Sequence, residues 1–203
     1  MNSSTSVVPV TIAGTGSYVP ERILTNDELA KFVDTSDEWI TSRTGIKERR
    51  IAADDEFTSD MATKAAERAL EQAGMAAEDV ELIIVATITP DTPTPATACY
   101  VQAKLGSYSA VAFDISAACS GFLYAMKIAK RLISDGAYSN AVIIGAEKLS
   151  SVTNWEDRNT CVLFGDGAGA AVLRRSNDGE GRILATEMGT DGRHTSLLEI
   201  KGG

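Results

Sequence analysis

The chain has 203 residues, of which 44% are hydrophobic and 23% charged, as in an ordinary globular protein. Its 28 acidic residues against 19 lysines and arginines give a net charge of −9, which argues against nucleic acids and anionic membranes as partners. No apolar run approaches the ~20 residues that cross a bilayer, and the N-terminus lacks the pattern of a secretory signal.

Strand and helix patterns alternate along the chain. A first strand is predicted over Val10 to Ser17, followed by a short helix that Asn26 caps and that buries Leu29, Phe32 and Val33. A capping box at residues 35–38 begins the next helix. Longer helices are predicted over residues 58–73, 95–105 and 120–133. Further strands are predicted over residues 81–87, 111–115, 141–146, 169–173 and 183–188.

Strands that are apolar on both faces and separated by helices predict an α/β fold with a buried, mostly parallel sheet under helical cover. The sequence shows no linker, low-complexity segment or internal repeat, so residues 1–203 are expected to form one domain. The chain stops at Gly203, in what reads as a turn after a strand, which is an unusual place for a domain to finish.

The stretch with the most chemical content is DISAACSGF, from Asp114 to Phe122. A strand runs into a turn of small residues and then into a helix, with Cys119 at the turn. A helix N-terminus stabilises a thiolate, and the small neighbours leave room for a thioester. The pattern alone leaves two interpretations open, a nucleophile and a cysteine that packs as a small apolar residue.

The other candidate residues favour structural roles. Cys99 lies inside a predicted helix and Cys161 precedes a strand, so both are expected to pack as apolar side chains. Three cysteines without CxxC spacing indicate free thiols in a reducing cytoplasm, with no disulfide framework and no zinc site. The glycines of residues 165–169 precede a strand, which argues for close backbone packing over a nucleotide loop. His194, the only histidine, lies in a polar turn and is expected to be solvated.

Trp39 and Arg43 are four residues apart on one predicted helix and therefore share a face. A tryptophan beside an arginine suits a flat aromatic ligand that carries phosphate. An ordinary surface pair is the simpler interpretation of the spacing alone.

Four stretches together resemble β-ketoacyl-ACP synthase III, the initiating condensing enzyme of bacterial type II fatty acid synthesis. They start at residues 25, 112, 157 and 188 and read TNDELAKFVDTSDEWITSRTGIKERRIAA, AFDISAACSGFLYAM, DRNTCVLFGDGAGAAVL and MGTDGRHTSLLEI. The resemblance runs from about Ile12 to the end of the chain. It implies a thiolase-like fold, in which two similar halves each contain a five-stranded mixed sheet between helical layers, and this chain would hold mostly the N-terminal half.

The resemblance also implies a reaction and its substrates. Cys119 would take the acyl group from an acyl-CoA primer, and the acyl-Cys119 intermediate would condense with malonyl-ACP, with loss of CO2, to give a β-ketoacyl-ACP. Acyl-CoA enters as a substrate, and neither a metal nor another cofactor is needed. Family members are homodimers, and the expected compartment is the cytoplasm.

The same resemblance assigns residues to the coenzyme A site. Trp39 and Arg158 would hold the adenine between them, with Thr35 and Arg43 beside it. Phe164 would lie along the pantetheine tunnel.

The sequence departs from the family pattern at three points. Asn159 replaces a glycine that commonly follows the second arginine. Thr94 replaces a bulky aromatic residue at the end of the acyl pocket, a position reached across the dimer. Family members are considerably longer, and their catalytic histidine and asparagine and an oxyanion-hole glycine lie in the second half. His194 does not have the context of that histidine, so the domain of residues 1–203 is expected to end before the C-terminal half.

Three alternative functions remain open. The first is a ketosynthase-III-like enzyme of polyketide or quinolone synthesis. The second is a non-catalytic chain that pairs with a complete subunit. The third is a cysteine hydrolase, which would need a histidine base that this chain does not obviously have.

Overall fold

The computed structural model describes residues 8–200, and within that range it contains six α-helices and two β-sheets. The strands are β1 (Val10–Tyr18), β2 (Arg22–Thr25), β3 (Glu48–Ile51), β4 (Leu82–Ala86), β5 (Val111–Ile115), β6 (Asn140–Lys148) and β7 (Asp166–Arg175). The helices are α1 (Asn26–Leu29), α2 (Asp37–Thr44), α3 (Thr58–Ala73), α4 (Thr97–Leu105), α5 (Gly121–Ser134) and α6 (Arg158–Cys161).

The larger sheet has the strand order β1-β7-β6-β4-β5. β4 runs parallel to both of its neighbours, so that Ile84 pairs with Phe113 on one side and Ile143 on the other. β7 runs antiparallel to β1 and β6. The five-stranded mixed sheet implied by the family resemblance is confirmed, whereas the mostly parallel sheet is wrong, because apolar runs identify strands but not their directions.

Helices cover the two faces of this sheet. On one face, Ala66 of α3 and Ile83 of β4 belong to one apolar core. On the other face, Ala129 and Ile133 of α5 belong to a second core together with Ile84. Residues of β4 therefore alternate between two cores, and the strand is buried throughout, as its unbroken apolar run predicts.

A smaller unit beside the sheet combines β2, α1, α2 and β3 with α6. β2 and β3 form an antiparallel pair, which the sequence did not predict because each strand has four residues and carries charge. The cap of α1 is also different: the side chain of Thr25 accepts the hydrogen bond from the N–H of Glu28, and Asn26 is buried instead. Leu29 is buried as predicted, whereas Phe32 is exposed.

The final described stretch is mostly exposed. The strand predicted over residues 183–188 is wrong, since residues 176–191 contain neither helix nor strand. The N–H of Ile183 donates a backbone hydrogen bond to the carbonyl of Val10 (2.8 Å), which holds the start of residues 183–188 against β1. Among residues 8–200, no helix is both long enough and apolar enough to cross a membrane.

Candidate active site

Cys119 lies in a 3-10 turn, Ala118–Ser120, that joins β5 to α5, and the residue is exposed. Ala118 has a φ of 44°, a left-handed conformation that costs a residue with a side chain about 1–3 kcal/mol. Gly121 begins α5 so close to β4 that an added Cβ would lie 2.9 Å from the Cβ of Ala86. A tight turn thus presents the thiol to solvent at the start of a 14-residue helix.

The other two cysteines are less accessible. Cys99 is half-buried within α4, and Cys161 is buried at the end of α6. Burial, and then the negative charge of Asp157, raise the pKa of Cys161, so its thiol stays protonated. Both positions agree with the structural roles that the sequence predicts.

A cavity of about 550 Å³ opens at the carboxyl ends of β4 and β5. It is lined by Thr87, Ile88, Pro90, Thr92, Pro93, Ala96, Phe113, Asp114, Ile115 and Ser116. The Asp114 carboxylate closes one side, where it accepts hydrogen bonds from the N–H groups of Thr97 (2.6 Å) and Ala98 (2.7 Å) at the start of α4. Ser116 is the last residue of the cavity wall, and it lies three residues before Cys119 in the chain.

Thr94 lies on the loop that borders this cavity, between the lining residues Pro93 and Ala96. It is exposed and does not line the cavity itself. Only the route across a dimer, which the family resemblance implies, would bring Thr94 to an acyl pocket.

Glu147, near the end of β6, organises another side of the cavity. Its carboxylate accepts hydrogen bonds from the N–H of Ile88 (2.9 Å) and from the hydroxyls of Thr87 (3.2 Å) and Thr89 (2.5 Å). Burial raises the pKa of Glu147, and these hydrogen bonds act in the opposite direction. No local sequence pattern predicts a role for this residue, because its partners lie about sixty residues earlier in the chain.

The structure brings Trp39, Arg43 and Arg158 together, although Arg158 is far from the other two in sequence. The Arg43 guanidinium carbon lies 4.4 Å from the centroid of the Trp39 ring, and that of Arg158 lies 5.0 Å from it. Arg158 also donates a hydrogen bond to the carbonyl of Asp34 (3.0 Å). An aromatic ring with two guanidinium groups can hold a flat, negatively charged ligand.

Thr35 follows Asp34 directly, and its hydroxyl oxygen is buried without a hydrogen-bond partner. An unsatisfied buried hydroxyl is uncommon in a folded protein, and this one follows the residue whose carbonyl binds Arg158. Phe164 is half-buried in the connection between α6 and β7. Asn159, which stands where the family commonly has glycine, is held by hydrogen bonds to the Asp157 carboxylate.

Residues 8–200 contain no group of histidine, cysteine and acidic side chains that could hold a metal ion. His194 lies in the exposed 3-10 turn Gly192–Leu197, 4.0 Å from the Asp191 carboxylate, and 64% of its side chain is accessible. This position agrees with the solvated loop predicted for it.

Comparisons with known proteins identify the relatives of this arrangement. The model of the family described as 3-oxoacyl-[acyl-carrier-protein (ACP)] synthase III matches residues 113–192. The β-ketoacyl-[acyl-carrier-protein] synthase III of Caldanaerobacter subterraneus subsp. tengcongensis is 59% identical over 192 residues, which are 95% of this chain and 58% of that protein. The protein of the same name from Geobacillus kaustophilus is 59% identical and is covered to 58% as well. The chain thus spans a little over half the length of these curated relatives.

Solved structures of 3-oxoacyl-(acyl carrier protein) synthase III also match the chain. The 3-oxoacyl-(acyl carrier protein) synthase III of Pseudomonas aeruginosa PAO1 matches with a TM-score of 0.90 and 44% identity, over 96% of this chain and 61% of that one. The synthase III of Aquifex aeolicus VF5 matches with a TM-score of 0.81 and 58% identity, over 83% and 55%. The priming β-ketosynthase of the R1128 polyketide pathway matches with a TM-score of 0.82 and 38% identity, over 84% and 51%.

The mixed sheet between helical layers, with Cys119 exposed on the strand-to-helix turn, defines a thiolase-like condensing-enzyme fold. Within that class, the chain is similar to the β-ketoacyl-[acyl-carrier-protein] synthase III proteins, to one of which it is 59% identical over 95% of its own length. The resemblance recognised from the four sequence stretches is therefore confirmed.

Proposed function

We propose that this chain is the acyl-accepting part of a β-ketoacyl-ACP synthase III, which condenses an acyl-CoA primer with malonyl-ACP at the start of fatty acid synthesis. The observation that carries the proposal is the exposed thiol of Cys119, on a strained turn at the start of α5 and beside a cavity at the ends of β4 and β5. Covalent catalysis suits such a site, because two bulky thioesters can then use it in turn.

The proposed reaction has two stages. The Cys119 thiolate attacks the carbonyl carbon of the acyl-CoA, the C–S bond to coenzyme A breaks, and CoA leaves as the thiol after taking up a proton. Malonyl-ACP then loses CO2, and the electron pair of the broken C–C bond forms a carbanion. The carbanion attacks the acyl-Cys119 thioester, which releases the thiolate of Cys119 and yields the β-ketoacyl-ACP.

The developing negative charge of both stages needs hydrogen-bond donors. In the family the catalytic histidine, the asparagine and an oxyanion-hole glycine belong to the second half, and we propose the same source here. The complete active site therefore requires more chain than residues 1–203 provide.

Coenzyme A would bind at the Trp39 cluster. With Arg158 5.0 Å from the ring centroid, a flat ring does not fit between the two side chains, so Arg158 moves aside when adenine binds. Its ion pair with Asp34 does not oppose this movement strongly, because the two charged groups are 3.7 Å apart and the Asp34 side chain is fully exposed. Arg43 and the unpartnered Thr35 hydroxyl would bind polar parts of the same ligand.

The proposed assembly is a homodimer in the cytoplasm. β5 is the outer strand of the sheet, pairs with β4 alone in the described chain, and exposes 48% of Val111. A free strand edge of this kind is a template for pairing with another chain. Pairing of two β5 edges would continue the sheet across the dimer and bring the Thr94 loop of one copy towards the other.

The test is acylation followed by condensation, in a protein that joins this chain to a C-terminal half like that of its relatives. Incubation with acyl-CoA should release free CoA and place one acyl group on the Cys119 peptide in mass spectrometry. Addition of malonyl-ACP should then remove the acyl group and give β-ketoacyl-ACP. Acylation of Cys99 or Cys161 instead, or release of free fatty acid without condensation, would reject the proposal.

A polyketide-priming ketosynthase is the second candidate, because the R1128 enzyme matches with a TM-score of 0.82. The chemistry at Cys119 would be the same, and the two candidates differ in the carrier protein and the primer. Rates with malonyl groups on a fatty acid carrier protein and on a polyketide carrier protein separate them.

A further inference from the structure

We propose that Asn26 and Arg49 form a buried hydrogen-bonded bridge that sets the position of the Trp39 helix relative to Arg158. Neither residue contacts the ligand in this proposal, so both are positioning residues for the coenzyme A site. The inference rests on the proposed function only for the identity of that ligand, since the bridge itself is made of contacts within the chain.

The amide of Asn26 holds both ends of α2. Its Nδ2 donates to Oδ1 of Asp37 (2.8 Å), the first residue of the helix, and to the carbonyl of Ile46 (2.7 Å), two residues after its end. One NH2 group therefore fixes the start and the end of the helix that carries Trp39. Asn26 is itself 1% exposed, so water does not compete for these contacts.

Arg49 extends the connection to the segment of Arg158. Its Nη2 donates to Oδ1 of Asn26 (2.8 Å) and to the carbonyl of Val162 (3.2 Å), and its Nη1 donates to the carbonyl of Leu24 (3.1 Å). Val162 directly follows α6, whose first residue is Arg158. A continuous path of four hydrogen bonds thus runs from both ends of α2 through two buried side chains to the end of α6.

The chemistry of Arg49 shows why an apolar residue could not replace it. Arg49 is 5% exposed, its guanidinium donates to oxygen atoms of neutral groups, and its Nε has no hydrogen-bond partner. Burying this charge is costly. An apolar side chain of similar volume would avoid that cost, but it could not join Leu24, Asn26 and Val162 at fixed distances.

A rival explanation is that apolar packing alone positions the Trp39 helix relative to the segment that carries Arg158. Leu24, Ile40, Cys161 and Val162 belong to one buried cluster, and Trp39 packs against it. If this cluster is sufficient, loss of the Asn26 contacts will lower stability without changing the surroundings of Trp39.

Asn26→Asp distinguishes the two explanations. The substitution keeps the size and the acceptor for Arg49, but it replaces the donor to Asp37 and Ile46 with a carboxylate that repels both oxygen atoms. The matched control is Asn140→Asp in β6, where the buried Asn140 similarly donates to the carbonyl of Asp79 (2.9 Å) and accepts from the N–H of Glu81 (3.0 Å). The reversed pair Asn26→Asp/Asp37→Asn restores one donor and one acceptor with their roles exchanged.

The measurement uses this chain joined to a C-terminal half like that of its relatives, with Trp155→Phe and with any tryptophan of the added half replaced by phenylalanine, so that Trp39 is the only tryptophan. Acrylamide quenching reports the exposure of Trp39 without any ligand, and a CoA titration reports affinity. We expect Asn26→Asp to increase quenching and to raise the Kd for CoA on the order of fivefold, the value of about one lost hydrogen bond. Asn140→Asp should lower the melting temperature without changing the quenching of Trp39 or the Kd for CoA. The reversed pair should recover most of the parent quenching.

Unchanged quenching in Asn26→Asp, or an equal change in Asn140→Asp at the same loss of stability, would overturn the bridge. If Asn26→Asp does not fold, Arg49→Lys carries the same test, because a single ammonium nitrogen cannot occupy both positions from which Nη1 and Nη2 of Arg49 donate, so this substitution should also expose Trp39. A parent chain that does not bind CoA, but whose quenching responds as expected, would support the bridge and reject the nucleotide role in the proposed function.

Discussion

At the scale of single residues, exposure and backbone conformation distinguish Cys119 from the two cysteines to which the sequence assigns structural roles. Cys119 is exposed after a residue with positive φ, whereas Cys161 is buried with a raised pKa. We expect Cys119→Ser to abolish acyl transfer from acyl-CoA in the complete protein, because a neutral hydroxyl is a much weaker nucleophile than a thiolate. Cys99→Ser and Cys161→Ser should retain most of the transfer. Mass spectrometry of the acylated peptide checks this, and an acyl group on either of those two positions would contradict it.

Trp39 gives the second prediction at this scale. Trp39→Ala removes a ring that lies within 5.0 Å of two guanidinium groups, so it should weaken CoA binding on the order of 1 kcal/mol or more. Alkylation of Cys119 by a small thiol reagent should proceed at the parent rate, since that reagent does not use the nucleotide site. A CoA titration measures the effect, and an unchanged affinity would refute the role of Trp39.

The sequence predicts these residues unequally, and the reason is the distance along the chain. Trp39 and Arg43 share a helix face by their spacing, whereas the approach of Arg158 comes from the family resemblance and not from any local pattern. The sequence predicts Asn26 only as a helix cap and gives no signal for Arg49 or Glu147, because the partners of all three come from other elements of the fold. A local pattern shows what a side chain can do, but the fold decides which other side chain it meets.

At the scale of elements, two glycines of β1 control how closely α3 can lie on the sheet. A Cβ on Gly14 or Gly16 would overlap with the backbone of α3, at Ala69 and at Ala65 respectively. Gly14→Ala should therefore destabilise the fold by about 1–3 kcal/mol, the usual cost of overpacking. Gly169→Ala is the matched control on the neighbouring β7, because an added Cβ there meets no atom within 4 Å. Thermal unfolding measures both, and equal melting temperatures would contradict the close approach.

The glycines of residues 165–169 show the same contrast. The expectation of close backbone packing holds for Gly165, where a Cβ would lie 3.0 Å from the carbonyl of Arg50, but not for Gly169. Gly165 connects β7 to the end of α6, which the Arg49 bridge also contacts.

Element types were largely predictable, because α3 and α5 have apolar residues at helical spacing over several turns and β4 and β6 are continuous apolar runs. The errors occur where the local pattern is short or the context decides. β2 and β3 are four-residue charged strands that are stabilised by pairing with each other. Residues 183–188 begin with a backbone hydrogen bond from Ile183 to Val10 of the edge strand β1, but they do not continue it into a strand. β5 has an apolar sequence typical of a buried strand, yet it lies at the sheet edge.

At the scale of the whole molecule, the free edge of β5 and the exposed Thr94 point to the same assembly. In the proposed dimer Thr94 of one copy reaches the acyl pocket of the other, and a threonine leaves more volume there than an aromatic side chain. We expect medium or long acyl-CoA primers to be accepted as well as acetyl-CoA, with about 0.8 kcal/mol available for each extra buried methylene. Thr94→Phe should shift the profile of acylation rates towards short primers. A strict preference for acetyl-CoA in the parent, or the same profile in the variant, would contradict an open pocket.

Exposed apolar side chains near the end of the described chain give the last prediction. Leu123 of α5 is 58% exposed, and the Tyr124 hydroxyl beside it donates to the carbonyl of Gly189 (2.9 Å), so the exposed stretch lies against the outer side of α5. That stretch carries further exposed apolar residues, namely Leu184, Met188, Leu197, Leu198 and Ile200. A soluble monomer rarely exposes a large apolar surface, and in a thiolase-like fold a second half would cover these side chains.

We therefore expect residues 1–203 alone to associate or precipitate, as measured by light scattering over a range of concentrations. Replacement of Leu184, Leu197 and Leu198 by serine should reduce the association, whereas the same number of serine substitutions at exposed polar positions should not. The isolated chain should also fail to condense malonyl-ACP with acyl-CoA, because removal of a single oxyanion donor already costs about 10²–10³ in rate in comparable sites. Slow alkylation of Cys119 should survive, since the turn that presents it is formed within this chain. A stable monomer that forms β-ketoacyl-ACP would show that the second half is dispensable.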